Sequence, residues 1–122
     1  MSDYNIGILC QIRNIYHAIA DFENRFIKAH DLCLNEGMLL CTLSGTDRLS
    51  SGEIAEELGL SNSNASKVIR SVENKGLVQR MLGNEDKRQM YFLLTPKGKT
   101  IISEIKSEDI ELPEMLKCLI KK

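Results

Sequence analysis

The fold is decided by residues 50–80, SSGEIAEELGLSNSNASKVIRSVENKGLVQR, which encode two short helices joined by a tight turn. Ser50 and Glu53 have the spacing of a capping box, in which each side chain bonds the other residue's backbone, so the first helix should start there. Gly59 predicts its end, because glycine readily adopts the left-handed conformation of a helix C-terminus. Ser61 or Ser63 can cap the second helix, which should end at Gly76. Its apolar residues recur at i, i+3, i+4 and i+7 and predict a single buried stripe: Ala65, Val68, Ile69 and Val72.

The residues that follow predict a β-hairpin and then two more helices. Two β-prone runs, residues 77–82 and 89–95, flank the turn-rich segment GNEDK at 83–87. Thr95-Pro96 combines a capping residue with proline at the first helical position, which predicts a helix start. Pro113 similarly opens a short final helix.

The residues that precede the central stretch predict a long amphipathic helix and a shorter one. Over residues 6–28 the apolar side chains recur at alternating spacings of four and three, as in a coiled-coil seam: Ile8, Ile12, Ile15, Ile19, Phe22 and Phe26. Asn35 is the expected cap of the second helix, with Met38, Leu39, Leu40 and Leu43 on its inner side. A helix this long in so small a protein has apolar surface to spare for a partner.

Together these elements predict a mainly α fold with a small β-hairpin, an α+β winged helix-turn-helix. The 122 residues are enough for one domain and too few for two. We therefore expect a single winged-helix domain over residues 1–122. Its central lobe would span residues 34–98, with the wing at 83–88, while residues 6–29 and 100–122 would supply packing or dimerisation helices.

Charge is unevenly distributed along the chain. Residues 1–60 carry 4 basic and 9 acidic side chains (net −5), residues 61–99 carry 8 and 3 (net +5), and residues 100–122 carry 4 and 5 (net −1), for a total of −1. A basic middle between acidic ends is typical of a local polyanion footprint. Charge alone is equally compatible with a solvated face.

The outward face of the predicted helix 63–75 favours DNA over plain solvent. Opposite the apolar stripe stand short polar or cationic side chains, whereas an ordinary solvated face mixes glutamate with lysine. Short side chains allow close approach to the major groove, asparagine can pair with adenine, and lysine or arginine can bind guanine. The predicted reading residues are Asn62, Ser63, Asn64, Ser66, Lys67 and Arg70.

The hairpin tip predicts a second contact with DNA. It carries Asp86, Lys87 and Arg88. An arginine on a projecting wing suits the narrow minor groove, where the negative potential is strongest, and Asp86 could orient Arg88 through a bidentate pair. Basic residues near the helix and hairpin, Lys75, Arg80 and Lys97, are predicted phosphate contacts.

These motifs, in this order, resemble the MarR family of bacterial transcriptional regulators over about residues 6–107. The resemblance rests on LGLS at 58–61, ASKVI at 65–69, ENKGLVQR at 73–80, DKR at 86–88 and LTPKG at 94–98. It implies a homodimer on a near-palindromic operator, often responsive to a small-molecule effector. By this likeness Asn62 to Lys67 and Arg70 read the major groove, Arg88 enters the minor groove, and Asp86 orients it.

The chain departs from the family pattern at its C-terminus. The family usually ends in a long helix that interlocks with the partner subunit, whereas about ten residues follow Pro113 here. We therefore expect the dimer to rely on the N-terminal seam, which comprises Ile8, Ile12, Ile15 and Ile19.

Other function classes have weaker support. No nucleophile–histidine–acid order, phosphate-binding glycine loop or paired-carboxylate motif points to an enzyme. His17, His30 and Cys33 lack metal-ligand spacing, so neither metal nor cofactor is expected. Cys10 leaves a redox role open, while Cys41 within LLCTL is predicted to be core. No signal peptide or membrane span is evident, which favours the cytoplasm. The alternative function is a winged-helix protein-interaction module without DNA binding.

Overall fold

The structure is a computed structural model that describes residues 3–83, 88–108 and 110–120, with side chains from Gly7 onward. The helices are α1 (Asp3–His30), α2 (Leu34–Ser44), α3 (Ser51–Leu58), α4 (Asn62–Asn74), α5 (Pro96–Ser107) and α6 (Glu114–Lys117), and the strands are β1 (Leu49–Ser50), β2 (Val78–Leu82) and β3 (Met90–Leu94). The predicted mainly α fold with a β-hairpin is confirmed.

The chain divides into two compact units. One contains Leu34–Glu108, which includes the helix-turn-helix, the hairpin and α5. The other contains Met1–Cys33 and Asp109–Lys122, in which α6 packs against α1 and buries Leu116. The expected lobe at residues 34–98 stays a prediction. The larger unit extends to Glu108, ten residues beyond residue 98, because α5 packs on α2 and β3.

The local signals in residues 50–80 produce the predicted helix boundaries. Glu53 N–H donates to Ser50 Oγ (3.2 Å), and Ser50 N–H donates to Glu53 Oε1 (3.0 Å), which completes the capping box. Hydrogen bonds from the backbone N–H and the side chain of Ser50 to the Glu53 carboxylate lower the pKa of Glu53, because they favour its charged form. Ser61, rather than Ser63, caps α4 by accepting a hydrogen bond from Asn64 N–H at 3.1 Å. Gly59 and Gly76 have φ values of 67° and 76°, in the left-handed region that ends both helices.

The hairpin belongs to a three-stranded antiparallel sheet in the order β1-β3-β2. The sequence pattern did not predict β1, because two residues are too short to show an alternation of buried and exposed side chains. Leu49 pairs with Phe92, and Val78 pairs with Leu94. These residues place the base of the hairpin against the hydrophobic core, so that the rest of the wing can project.

The packing of α2 corrects three expectations. Leu39, Leu40 and Leu43 are buried as predicted, but Met38 is 49% exposed and Cys41 is also exposed. The apolar sequence of α2 is nearly continuous and therefore does not indicate which side faces inward. Residues 38 and 41 lie one turn apart on the outer side. Asn35 lies inside the first turn of α2 and is not its cap, since the helix starts at Leu34.

The junction between the sheet and α5 is unusually close. Thr95 Oγ1 accepts from Gly98 N–H (3.0 Å) and donates to the Gly76 carbonyl (2.6 Å), while Thr95 N–H donates to the Leu77 carbonyl (3.0 Å). A Cβ atom on Gly98 would overlap that Leu77 carbonyl oxygen. Glycine is thus required at position 98 for space, since its φ is ordinary.

Replacing Gly98 with alanine should therefore destabilise the protein. We expect G98A to lower the free energy of unfolding by about 1–3 kcal/mol, because the sheet and α5 must separate to admit the methyl group. Urea denaturation provides the measurement. Gly52 on α3 faces open space, so G52A is a matched control that should leave stability unchanged or raise it slightly. Equal stability of G98A and wild type would show that the junction is not tightly packed.

Candidate nucleic-acid interface

The outer side of α4 is polar and exposed, as the sequence predicts. Ala65, Ile69 and Val72 of the predicted stripe pack in the core of the Leu34–Glu108 unit, whereas Val68 is only half-buried. All six predicted major-groove residues are exposed, as is the next polar residue on that face: Asn62, Ser63, Asn64, Ser66, Lys67, Arg70 and Asn74. The helix therefore presents one continuous face of short amides, hydroxyls and cations.

Lys67 and Arg70 supply the positive charge of this face. Within the described part of the chain, neither side chain has a hydrogen bond or an ion pair, so both can bind an external partner. They lie three residues apart, on consecutive turns of one side of the helix. The acidic residue of α4, Glu73, forms its ion pair with Arg80 on β2 and also interacts electrostatically with Arg70.

Glu73 is held by Arg80 in a two-point ion pair. Arg80 Nε and Nη2 donate to the two Glu73 carboxylate oxygens at 2.7 and 2.6 Å, and the guanidinium lies 5.5 Å from the centre of the Phe92 ring. The Arg80 hydrogen bonds hold the pKa of Glu73 below its ordinary value. This pair connects the end of α4 to β2. Arg80, a predicted phosphate contact, therefore has a partner inside the protein.

The other two predicted phosphate contacts also have internal partners. Lys75 Nζ lies 3.0 Å from a carboxylate oxygen of Glu36 on α2, and Lys97 Nζ donates to the Lys75 carbonyl at 3.1 Å. Ser71 is half-buried and donates to Glu36 at 2.8 Å. Sequence reasoning missed Glu36, whose only signal is an acidic residue in the first turn of a leucine-rich helix. Phosphate binding by these lysines stays a prediction.

The wing is described on both sides of its tip. Asp86 and Lys87 lie outside the described residues, so the expected orienting pair between Asp86 and Arg88 is untested. Arg88 is exposed. Four residues of β2, from Gln79 to Leu82, are exposed, which is what a projecting hairpin requires. At the base, Arg48 stacks 4.1 Å above the Tyr91 ring, a cation that sequence reasoning also missed.

In the other unit, α1 carries an exposed apolar stripe. Among the expected seam residues, Ile8, Ile12 and Ile19 are exposed by 36%, 57% and 44%, and Ile15 is half-buried. Leu9 and Tyr16 widen the stripe. Such a surface is unusual for a chain that stays alone in water.

In the described ranges no three His, Cys, Asp or Glu residues cluster closely enough to hold a metal ion. The four cysteines are free thiols, and Cys10 is half-buried. Among the described helices, none is long and apolar enough to cross a membrane.

The Glu73–Arg80 pair predicts a dependence of stability on acid pH. Because the folded-state pKa of Glu73 is below its ordinary value of 4.5, the pair stabilises the protein above that pH and loses its effect as the pH falls further. E73Q should lower the free energy of unfolding by about 0.5–1 kcal/mol at pH 7, since Arg80 is partly solvated. The difference from wild type should shrink below pH 4.5. E57Q, at an exposed site on α3, is the control; a pH-independent deficit in E73Q would contradict the ion pair.

Comparison with known proteins gives one consistent result. Residues 32–90 match the family model described as "MarR family". The HTH-type transcriptional regulator SarZ of Staphylococcus haemolyticus is 26% identical over 82 residues, 67% of this chain and 56% of that protein. The transcriptional repressor MprA of Escherichia coli K12 is 28% identical over 99 residues, 80% of this chain and 53% of that protein. The chain thus spans little more than half the length of these relatives.

Solved structures have a similar fold. BldR, a transcriptional regulator from Sulfolobus solfataricus, superposes with a TM-score of 0.71 at 26% identity, covering 88% of this chain and 78% of that one. AbsC, a MarR-family regulator from Streptomyces coelicolor, gives a TM-score of 0.77 at 22% identity, with coverages of 88% and 74%. MepR of S. aureus in complex with DNA gives 0.66 at 23% identity, with 79% of each chain covered. With its capped helix-turn-helix, projecting hairpin and polar α4 face, this chain is similar to the winged-helix regulators of the MarR family, whose family model matches residues 32–90.

Proposed function

We propose that this chain is a sequence-specific DNA-binding transcriptional regulator that acts as a homodimer on a near-palindromic operator. The observation that carries the proposal is the outer face of α4, where Lys67 and Arg70 are exposed while Glu73, the helix's acid, is tied to Arg80. A helix with such a face can approach the phosphate-lined major groove without repulsion. The relatives reported above are named as transcriptional regulators, which favours this function over a protein-interaction module.

In the major groove, α4 would read bases through its exposed side chains. The short residues Asn62, Ser63, Asn64 and Ser66 allow close approach and supply amide and hydroxyl groups for base edges. Lys67 and Arg70 would bind guanine acceptors from the following turns. Ser61 accepts a hydrogen bond from one backbone N–H in the first turn of α4, that of Asn64. The other N–H groups of this turn would bind a DNA phosphate and so fix how deeply the helix enters the groove.

The hairpin would provide the minor-groove contact. Arg88 would insert into the groove, with Asp86 orienting its guanidinium and Lys87 adding charge beside it. The MepR complex shows that a chain of this fold can be crystallised on DNA, which is compatible with such docking. Arg80 and Lys97 remain proposed phosphate contacts, although each is also engaged inside the protein.

Dimerisation follows from the needs of readout. One recognition helix covers only a few base pairs, whereas two helices about one DNA turn apart multiply the specificity. The exposed stripe of α1, which includes Ile8, Ile12 and Ile19, supplies an apolar surface that a second copy would cover. The expected seam is thus available on described residues, and we propose it as the dimer interface.

A small-molecule effector is also part of the proposal. A cavity of about 650 Å³ opens between α2, β3 and α5, with Leu43, Leu94 and Ile102 lining it and Lys99 and Lys106 among its polar residues. This volume is in the range of small-molecule sites. The cavity adjoins β3, the inner strand of the wing, so an occupant could alter DNA binding.

The proposed location of such a regulator is the cytoplasm.

Substitutions on α4 and the wing should separate base contacts from phosphate contacts. The operator duplex for this experiment is the sequence that the wild-type protein enriches most strongly from fragments of the source genome. R88A should bind this duplex with a binding free energy about 1–3 kcal/mol weaker than wild type, with its fold unchanged. K67A and R70A should lower affinity for this duplex more than for a scrambled one. Lys28 is an exposed cation on α1, so K28A is the matched control. Uniform weakening by K67A and R70A would make them phosphate contacts, and unchanged binding by R88A would exclude the wing.

A charge in the α1 stripe should break the dimer. Ile12 is 57% exposed, so I12D introduces little strain in one copy but buries an unpaired carboxylate if two copies meet there. We expect I12D to sediment as a monomer at concentrations at which wild type is dimeric. Asn14 is exposed on another side of α1, so N14D gives the same charge away from the seam and should remain dimeric. A dimeric I12D would place the interface elsewhere.

A further inference from the structure

Glu36 is a buried carboxylate in the lobe that contains α4. It lies in the first turn of α2 and is 5% exposed. A charge so deeply buried is costly unless polar partners surround it. Two of its partners come from α4 and the residue that caps its C-terminus: Ser71 Oγ donates to Oε2 at 2.8 Å, and Lys75 Nζ lies 3.0 Å from Oε2 and 3.1 Å from Oε1. Glu36 thus bonds this end of α4 at two points one turn apart.

Contacts from other elements reach the same end of α4. From β2, Arg80 makes its two-point pair with Glu73. From α5, the Lys97 ammonium binds the Lys75 carbonyl, where a cation also suits the negative end of the helix dipole. We refer to Glu36, Glu73, Arg80 and Lys97, with their partners on α4, as the α4 anchor. It fixes the last turns of the helix to α2, to the hairpin and to α5.

The α4 anchor and the proposed base-reading residues Lys67 and Arg70 lie on different sides of neighbouring turns of α4. Ser71 follows Arg70 directly and lies one turn beyond Lys67. A rotation of α4 that lengthened the Ser71–Glu36 bond would therefore move Lys67 and Arg70 across the groove. Hydrogen bonds to base edges require placement to within about half an ångström, whereas a lysine near a phosphate tolerates more.

We propose that Glu36 is a positioning residue for sequence readout, which sets the rotation of α4 and holds the Lys75 ammonium away from the DNA backbone. This inference rests on the proposed DNA-binding function. It gives Lys75 an inward role in place of the phosphate contact predicted from sequence. A carboxylate is suited to the task because it can accept from both a hydroxyl and an ammonium, while an apolar residue would fix neither.

The two parts of the proposal have separate readouts. Loss of helix positioning lowers the ratio of operator affinity to scrambled-duplex affinity. Release of Lys75 adds a cation that can bind a DNA phosphate, so the affinity for the scrambled duplex should rise. The slope of the logarithm of this binding constant against the logarithm of the salt concentration should become steeper by up to about 0.9. A residue that only stabilised the fold would change neither quantity in the population that remains folded.

The experiment compares E36Q, S71A and wild type on both duplexes over a series of salt concentrations. We expect E36Q to lower the affinity ratio at least tenfold and to steepen the salt slope for the scrambled duplex. S71A removes one bond and no charge, so it should lower the ratio by a smaller factor at an unchanged slope. The matched control is E104Q, which makes the same charge change at an exposed site on α5 and should behave as wild type.

Amide hydrogen exchange of the free protein provides a readout without DNA. The amides of residues 73–77 should exchange faster in E36Q and S71A than in wild type, relative to the amides of α3. Folded E36Q with a wild-type affinity ratio would overturn the proposal, as would S71A with a wild-type ratio if E36Q fails to fold. Unchanged exchange in both variants would also overturn it. Absence of operator preference in wild type would instead overturn the proposed function, and exchange alone would then test the anchor.

Discussion

The structure depends on the single apolar stripe of α4. Ala65, Ile69 and Val72 are almost fully buried, and no other side of the helix can replace them in the core. Burial of this stripe determines which residues of α4 face outward, because the side of the helix opposite the stripe is the side left exposed. Removing even one of these side chains from the core would cost more than any surface ion pair in the lobe supplies. The polar outer face of α4 is thus a consequence of hydrophobic packing.

Cations around α4 have two different environments. The basic segment of residues 61–99 resembles a single polyanion footprint when charge is counted along the chain. In the fold, Lys75, Arg80 and Lys97 bind internal oxygens, while Lys67 and Arg70 are exposed. The first group fixes the end of the helix and the second is available to a ligand. The basic segment therefore both holds α4 in place within the protein and supplies exposed cations on its surface.

Local interactions were predictable from the sequence. The Ser50–Glu53 capping box, the left-handed Gly59 and the Thr95-Pro96 helix start depend on residues within a few positions of one another, so their pattern alone specifies them. The outer face of α4 was predictable for the same reason, since a polar helix with one apolar stripe has only one way to pack.

Interactions between distant residues were not predictable. Glu36 and Lys75 are 39 positions apart and meet only because α2 and α4 cross. The exposure of Met38 and Cys41 likewise depends on which side of an almost uniformly apolar helix meets its neighbours. The short strand β1 exists because β3 offers it a partner. In each case tertiary packing decides among options that the local sequence leaves open.

Selection of genomic fragments by the purified wild-type chain at physiological salt tests the central claim most directly. If α4 reads the major groove in a dimer, the bound fragments should share two inverted half-sites whose centres lie about 10 base pairs, or one helical turn, apart. Salt must be fixed, because phosphate contacts alone bind DNA without sequence preference. Enrichment of such a site would agree with the account. A folded, dimeric protein that enriches no sequence would contradict it.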